Sequence, residues 1–149
     1  MYKKTLSNFK HDLILGQFYE KEALNYIKYE KFKLSEGKFK PYDIKVWYNG
    51  KKTRYEIKSD RLGYKTGNVA IEYKCNNIDS GINSTRAKYY IYFIIKKNCY
   101  DAYKIKTKVL KKLVENCRKV KGGDGCRSHM YLLKLNLLEE YLIASNVKI

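Results

Sequence analysis

Two carboxylates and a lysine around a predicted hairpin have the residue types that phosphodiester hydrolysis requires. Asp43 precedes the dipeptide Asn49-Gly50, and Glu56 and Lys58 follow it. Asn-Gly between alternating hydrophobic residues is the strongest short-range signal for a two-residue hairpin turn. With that turn, Asp43 lies directly opposite Glu56, and Lys58 projects from the same face as Glu56. Like charges that face each other on neighbouring strands are destabilising, so we expect a counter-charge here, such as a divalent metal ion.

Carboxylates together with an ammonium group suit the hydrolysis of a phosphodiester. Carboxylate oxygens hold Mg²⁺, which polarises a phosphoryl oxygen and lowers the pKa of a bound water. An ammonium group positions or deprotonates that water, or neutralises charge that develops in the transition state. The alternative is that Glu56 and Lys58 are ordinary surface residues of a charge-rich strand. A second Glu-x-Lys copy, Glu72 to Lys74, lacks an aspartate placed opposite it, so Glu72 is either an additional acid or a partner for Lys74.

The hydrophobic pattern predicts the elements that position these residues. In chain order they cover residues 6–29 (helix), 43–48, 53–58, 69–74 and 89–95 (strands), 107–116 (helix), 131–135 (strand) and a terminal helical segment near Leu138. The first three strands follow one another as an antiparallel meander, and a strand, a helix and a strand come after them. We therefore expect a mixed α/β fold with one small mixed sheet flanked by helices, forming a single domain over residues 1–149.

The charge balance indicates a polyanionic partner. The 149 residues include 32 Lys and Arg against 15 Asp and Glu, a formal net charge of +17, and 16 tyrosines. Basic side chains interleaved with aromatic rings favour nucleic acid over an acidic membrane surface. No segment has the character of a DNA-recognition helix, so we expect recognition of DNA structure rather than sequence. The candidates for contacts with the DNA backbone are Lys40, Lys51, Lys52, Arg54, Arg61 and Lys65.

The sequence does not indicate a membrane or secreted protein. Its longest strongly apolar run, residues 89–95, is far shorter than the roughly 20 residues of a membrane helix, and the first residues lack the apolar core of a signal peptide. The four cysteines form no Cys-x-x-Cys pair, so we interpret them as free thiols in an intracellular, reducing compartment. Cys117, Cys126 and His129 have the residue types of a zinc site, but packed thiols and a surface histidine are the favoured interpretation.

The motif Pro41-Tyr42-Asp43, followed by Glu56-Ile57-Lys58, resembles the signature of the PD-(D/E)XK nuclease superfamily. It departs from that signature in having a tyrosine between the proline and the aspartate. Glu20, on the preceding helix, is placed like the extra acidic residue of archaeal-type Holliday junction resolvases. Blocks at residues 55–60, 66–73, 80–82 and 122–124 are also similar to those of nucleases from phages and large DNA viruses.

This resemblance implies a restriction-endonuclease-like core and a catalytic site. Asp43 and Glu56 would be metal ligands together with the Ile57 carbonyl, Lys58 the catalytic lysine, and Glu20 an auxiliary acid. The implied cofactor is Mg²⁺, with Mn²⁺ as a substitute, and the implied assembly is a homodimer. The expected location is inside the cell, or inside the host cell if the protein is viral or from a phage.

The function that we expect is a metal-dependent endonuclease specific for DNA structure, most similar to a Holliday junction resolvase. The alternatives are a nucleic-acid-binding module that has lost catalysis on the same fold and a sequence-specific nuclease of the restriction type. The fold alone does not separate cleavage of a junction from cleavage of other DNA structures.

Overall fold

The computed structural model describes residues 6–37, 40–122, 125 and 127–149, with side chains from residue 10 onward. The α-helices are α1 (Leu6–Ala23), α2 (Gly63–Thr66) and α3 (Thr107–Val114), and 3-10 helices cover Leu24–Tyr26, Gly81–Asn83 and Leu135–Tyr141. The strands are β1 (Lys31–Leu34), β2 (Ile44–Tyr48), β3 (Lys51–Asp60), β4 (Asn68–Cys75), β5 (Ile78–Asp79), β6 (Tyr89–Ile95), β7 (Cys99–Lys106), β8 (Arg118–Gly122), β9 (Ser128–Lys134) and β10 (Leu142–Lys148).

The strands form two sheets. The first is mixed and has the order β1-β2-β3-β6-β7-β10; its β3 and β6 are parallel, and the other pairs are antiparallel. The second sheet is antiparallel, with the order β5-β4-β9-β8. The expected mixed α/β class with a mixed sheet is therefore confirmed, with six strands in that sheet rather than a small number.

The central strand β6 explains the layered arrangement. All of its residues from Tyr90 to Ile95 are buried, so each face of the strand needs its own covering layer. On one face, Ile91 and Phe93 pack with Tyr19 and Ala23 of α1. On the other face, Tyr92 and Ile94 of β6 pack against the second sheet and α3. Their core also includes Ile71, Leu110 and Leu133.

The hairpin register agrees with the sequence prediction. Tyr48 lies opposite Lys51, and Ile44 lies opposite Tyr55. Asn49 and Gly50 have φ values of 50° and 72°, as a type I′ turn requires at both central positions. Ile44 and Tyr55 are buried in the core beneath α1, so the other face of the hairpin carries the charged residues.

The predicted three-stranded meander is wrong. β4 belongs to the second sheet, and the strand beside β3 is β6, in parallel orientation. The physical reason is burial: the apolar residues Val69 and Ile71 of β4 are needed to cover the second face of β6. The sequence patterns also did not predict β1, β5, β7, β8 and β10, which account for the additional strands.

The predicted helices are present with shorter bounds. The first α-helix runs through Gly16 and ends at Ala23, and a 3-10 turn extends it to Tyr26. The helix predicted over residues 107–116 is α3, which ends at Val114. The segment near Leu138 is a 3-10 helix, and Leu138 is fully buried. Among the described residues, no helix is long and apolar enough to cross a membrane.

Candidate active site

Asp43 is fixed against β3 where the β2–β3 ladder ends. Its backbone N–H donates to the Tyr55 carbonyl at 2.9 Å, and its Oδ2 accepts the Ile57 N–H at 2.7 Å. The residue is only 7% exposed. The aspartate carboxylate is therefore anchored beside the segment that carries Glu56, as the hairpin register predicted.

The Ile57 carbonyl is directed to the same side as the Asp43 carboxylate. In a strand, the N–H and the C=O of one residue point to the same neighbour, and the Ile57 N–H points to Asp43. The regular β2–β3 pairing stops at Ile44 and Tyr55, so this carbonyl lies beyond the last ladder pair. It is thus available as an oxygen donor next to Asp43.

The Glu56 side chain projects from the face of β3 that points away from α1, and two other side chains contact it. Lys58 Nζ lies 3.4 Å from Glu56 Oε1, and the Thr85 hydroxyl donates to Oε2 at 3.2 Å. Burial raises the pKa of the Glu56 carboxyl, Lys58 opposes that rise, and the Asp43 carboxylate adds to it. The contact between Thr85 and Glu56 joins residues that are 29 positions apart in the chain, so no local sequence pattern indicates it.

Glu20 joins the cluster through Lys40. Lys40 Nζ lies 3.4 Å from Glu20 Oε1 and 3.5 Å from Asp43 Oδ1. Burial raises the pKa of the Glu20 carboxyl, as does Asp43, while Lys40 and Lys58 act in the opposite sense. The structure thus brings together Glu20, Asp43, Glu56 and Lys58. It also places Lys40, predicted as a DNA contact, between two carboxylates.

A cavity of about 210 Å³ continues from this cluster past Lys58. Glu72 and Tyr90 are among its lining residues. The Glu72 carboxylate accepts a hydrogen bond from the Ser128 hydroxyl at 2.7 Å, and within the described residues it forms no ion pair with Lys74. The buried Tyr90 hydroxyl has no partner in hydrogen-bond geometry among the described residues. Its pKa is raised by burial and by the Glu56, Asp43 and Glu72 carboxylates, while the Thr85 hydroxyl opposes the rise.

The donor chemistry of the cluster matches a hard divalent cation. Across the described residues, no group of three or more His, Cys, Asp or Glu side chains is arranged to hold a metal ion. Mg²⁺, however, is commonly bound by one or two carboxylates, and it keeps several waters. Asp43 and Glu56 supply two carboxylates, and Ile57 adds a carbonyl, so these residues fit Mg²⁺ in composition.

The predicted DNA contacts lie in different surroundings. Lys51 and Lys52 are exposed at the hairpin end, and Arg54 stacks over the Tyr42 ring, with 5.6 Å from its Cζ to the centroid. Arg61 pairs with Asp12 at 2.8 Å, and Lys65 lies over the Tyr64 ring. Lys51, Lys52 and Arg54 therefore belong to the hairpin that carries Glu56, whereas Arg61 is paired with α1.

The zinc interpretation rests partly on Cys126, which lies outside the described residues. The Cys117 thiol donates to the Leu113 carbonyl at 3.3 Å, and the His129 ring packs edge-on against Tyr73. Cys75, Cys99 and Cys117 are free and half-buried.

The chain matches no family model, no curated protein and no solved structure.

Proposed function

We propose that the chain is a Mg²⁺-dependent DNA endonuclease with a restriction-endonuclease-like core and that Asp43, Glu56 and Lys58 form its catalytic site. The observation that carries this proposal is the hairpin, which collects the buried Asp43 carboxylate, the largely buried Glu56 carboxylate and an ammonium group at one point of a protein with a net charge of +17. The resemblance to PD-(D/E)XK nucleases supports the same assignment.

Asp43 and Glu56 would hold the metal ion with the Ile57 carbonyl. When bound, Mg²⁺ activates a water and stabilises charge on the phosphate. The Lys58 side chain forms an ion pair with Glu56 and is half exposed to solvent. Its flexible stem would therefore let the ammonium group reach a phosphate oxygen. Thr85 orients Glu56 through its hydroxyl, and Lys40 offsets the repulsion between Glu20 and Asp43. Glu20 would serve as an auxiliary acid.

The favoured substrate is branched DNA, with the chain acting as a homodimer similar to Holliday junction resolvases. Two-fold symmetry would allow paired cuts on opposing strands. The lack of a recognition helix in the sequence supports structure-selective cleavage over sequence-specific cleavage.

The proposed function is tested by measuring cleavage of a panel of four-way junction, flap, single-stranded and linear duplex DNA with Mg²⁺. Glu56→Gln and Lys58→Met are expected to reduce cleavage by at least about 10²-fold, while binding persists. Lys74→Met, in the second Glu-x-Lys copy, is the matched control and retains cleavage. Tight binding without cleavage by the wild type would favour the inactive binding module, and cleavage of one duplex sequence would favour a restriction-type enzyme. Full cleavage by Glu56→Gln would show that the assigned site is wrong.

A further inference from the structure

The strands β1, β2 and β3 share a face on which cations alternate with aromatic rings. Ile44 and Val46 point into the core beneath α1, so Lys45 and Trp47 point the opposite way. The register places Lys31 and Lys52 on either side of Trp47. We call this surface the basic–aromatic face, and it includes Lys31, Tyr42, Lys45, Trp47, Lys52 and Arg54.

Its rings and cations are in direct contact. Lys31 Nζ lies 5.1 Å from the centroid of the Trp47 ring, and Lys45 Nζ lies 5.8 Å from it. Lys45 Nζ also lies 5.0 Å from the Tyr42 ring, over which Arg54 stacks. The two rings are therefore surrounded by positive charge and are not buried in the core.

The face leads directly into the proposed catalytic site. Lys52, Arg54, Glu56 and Lys58 are alternate residues of β3, so their side chains project to the same side. Trp47 lies opposite Lys52, which is about 13 Å along the strand from Glu56 at a rise of about 3.3 Å per residue. Within the described part of the chain, the second sheet packs on β6 and β7 and leaves Lys31 and Lys52 exposed.

We propose that the basic–aromatic face binds unpaired nucleotides of the DNA substrate, with bases stacked on Trp47 and Tyr42 and phosphates on the surrounding cations. Sequence-tolerant binding of single strands combines these two features, a positive surface and aromatic rings. A base inside a duplex already stacks on its neighbours, so flat rings on an open sheet discriminate in favour of unpaired segments. The inference deepens the proposed function, on which its choice of DNA rests, by naming the part of a branched substrate that this surface contacts.

The test uses the whole 149-residue chain and exploits Trp47 as its single tryptophan. A 12-nucleotide oligo(dT) is added in EDTA, so that cleavage does not contribute, and tryptophan emission and fluorescence anisotropy of the labelled oligonucleotide are measured. We expect quenching of Trp47 emission that saturates together with the anisotropy. A hairpin duplex of equal charge should bind without comparable quenching.

Variants separate stacking from charge. Trp47→Ala is expected to weaken oligo(dT) binding by roughly 5- to 100-fold, and Trp47→Phe to remain within a few-fold of the wild type because it keeps a stacking ring. Tyr64→Ala removes an exposed tyrosine that also has a lysine over its ring, and it should bind as the wild type does. Circular dichroism verifies that each variant is folded.

Failure of this inference is distinguishable from failure of the proposed function. Unchanged Trp47 emission at saturating oligo(dT), or equal affinity of folded Trp47→Ala and the wild type, would overturn the inference even if the protein cleaves DNA. Quenching and weaker Trp47→Ala binding would support it even if no substrate is cleaved, and the enzyme assignment alone would then fail.

Discussion

At the scale of single residues, the acidic cluster is stabilised by its own lysines and destabilised by its burial. Glu20 and Glu56 both have a raised pKa because their carboxyl groups are partly withdrawn from water. Lys40 and Lys58 oppose this rise without cancelling it. A raised pKa means that the folded state binds more protons than the unfolded state, so stability falls as the pH rises from about 4.5 through the folded-state pKa.

We expect Glu56→Gln to be more stable than the wild type at pH 7 in EDTA, because the variant removes a buried charge. Each unit by which the pKa is raised corresponds to about 1.4 kcal/mol, and each kcal/mol to a shift of about 2–4 °C in the melting temperature. The difference should vanish below about pH 4, where the carboxyl is protonated in both states.

Thermal unfolding followed by circular dichroism at both pH values is the measurement. Glu36→Gln changes an exposed carboxylate and serves as the control that leaves the transition unmoved. A Glu56→Gln protein that is less stable than the wild type at pH 7 would contradict the electrostatic account. Added Mg²⁺ should raise the melting temperature of the wild type more than that of the variant.

At the scale of elements, local chemistry made the hairpin predictable, and non-local packing hid the rest. The Asn49-Gly50 turn sets the β2–β3 register by itself, so the positions of Asp43, Glu56 and Lys58 follow from the sequence. β4 belongs to the second sheet because its apolar residues cover one face of β6. The sequence of β4 itself does not indicate which sheet the strand joins. The strand β10 departs from regular register with β7 in two places, which obscures its pattern.

Gly81 illustrates a position that only the fold makes essential. It has a φ of +49°, and a Cβ there would lie 2.1 Å from the Glu72 carbonyl oxygen. Gly50 has a φ of +72°, and a Cβ added to it would meet no atom within 4 Å. The loop after β5 therefore lies tightly against β4 beside the cavity that Glu72 lines.

We expect Gly81→Ala to destabilise the protein more than Gly50→Ala does. Both substitutions incur the left-handed backbone cost of about 1–2 kcal/mol, and Gly81→Ala adds an overpacking cost of about 1–3 kcal/mol. Urea unfolding of the two variants measures the difference. Equal losses would mean that the loop moves away from β4 without cost.

At the scale of the whole molecule, the positive charge and the acidic cluster have separate roles. The excess of 32 basic over 15 acidic residues favours any polyanion, whereas under the proposed function the carboxylates would concentrate a cation at one point. The basic–aromatic face joins the two because its strand β3 also carries Glu56 and Lys58.

Salt dependence should report how many cations contact the DNA. Five of the cations on this side of the sheet are Lys31, Lys45, Lys52, Arg54 and Lys58. If all five neutralise phosphates of a single strand, the logarithm of the association constant should fall with the logarithm of salt concentration with a slope of about −3.5. Lys45→Ala should reduce the magnitude of that slope by about 0.7, and exposed Lys97→Ala should leave it unchanged. An unaltered slope for Lys45→Ala would remove Lys45 from the interface.

The pairing of β3 with β6 determines the order in which the site is assembled in time. Asp43 and Ile57 are 14 residues apart in the chain, so a hairpin that closes in about 1–10 μs brings them together. The contact between Glu56 and Thr85 spans 29 residues and accompanies the parallel pairing, which is slower because a longer loop must close first. A nascent chain would therefore hold the Asp43 and Glu56 carboxylates side by side before the Thr85 hydroxyl, which donates to Glu56, arrives.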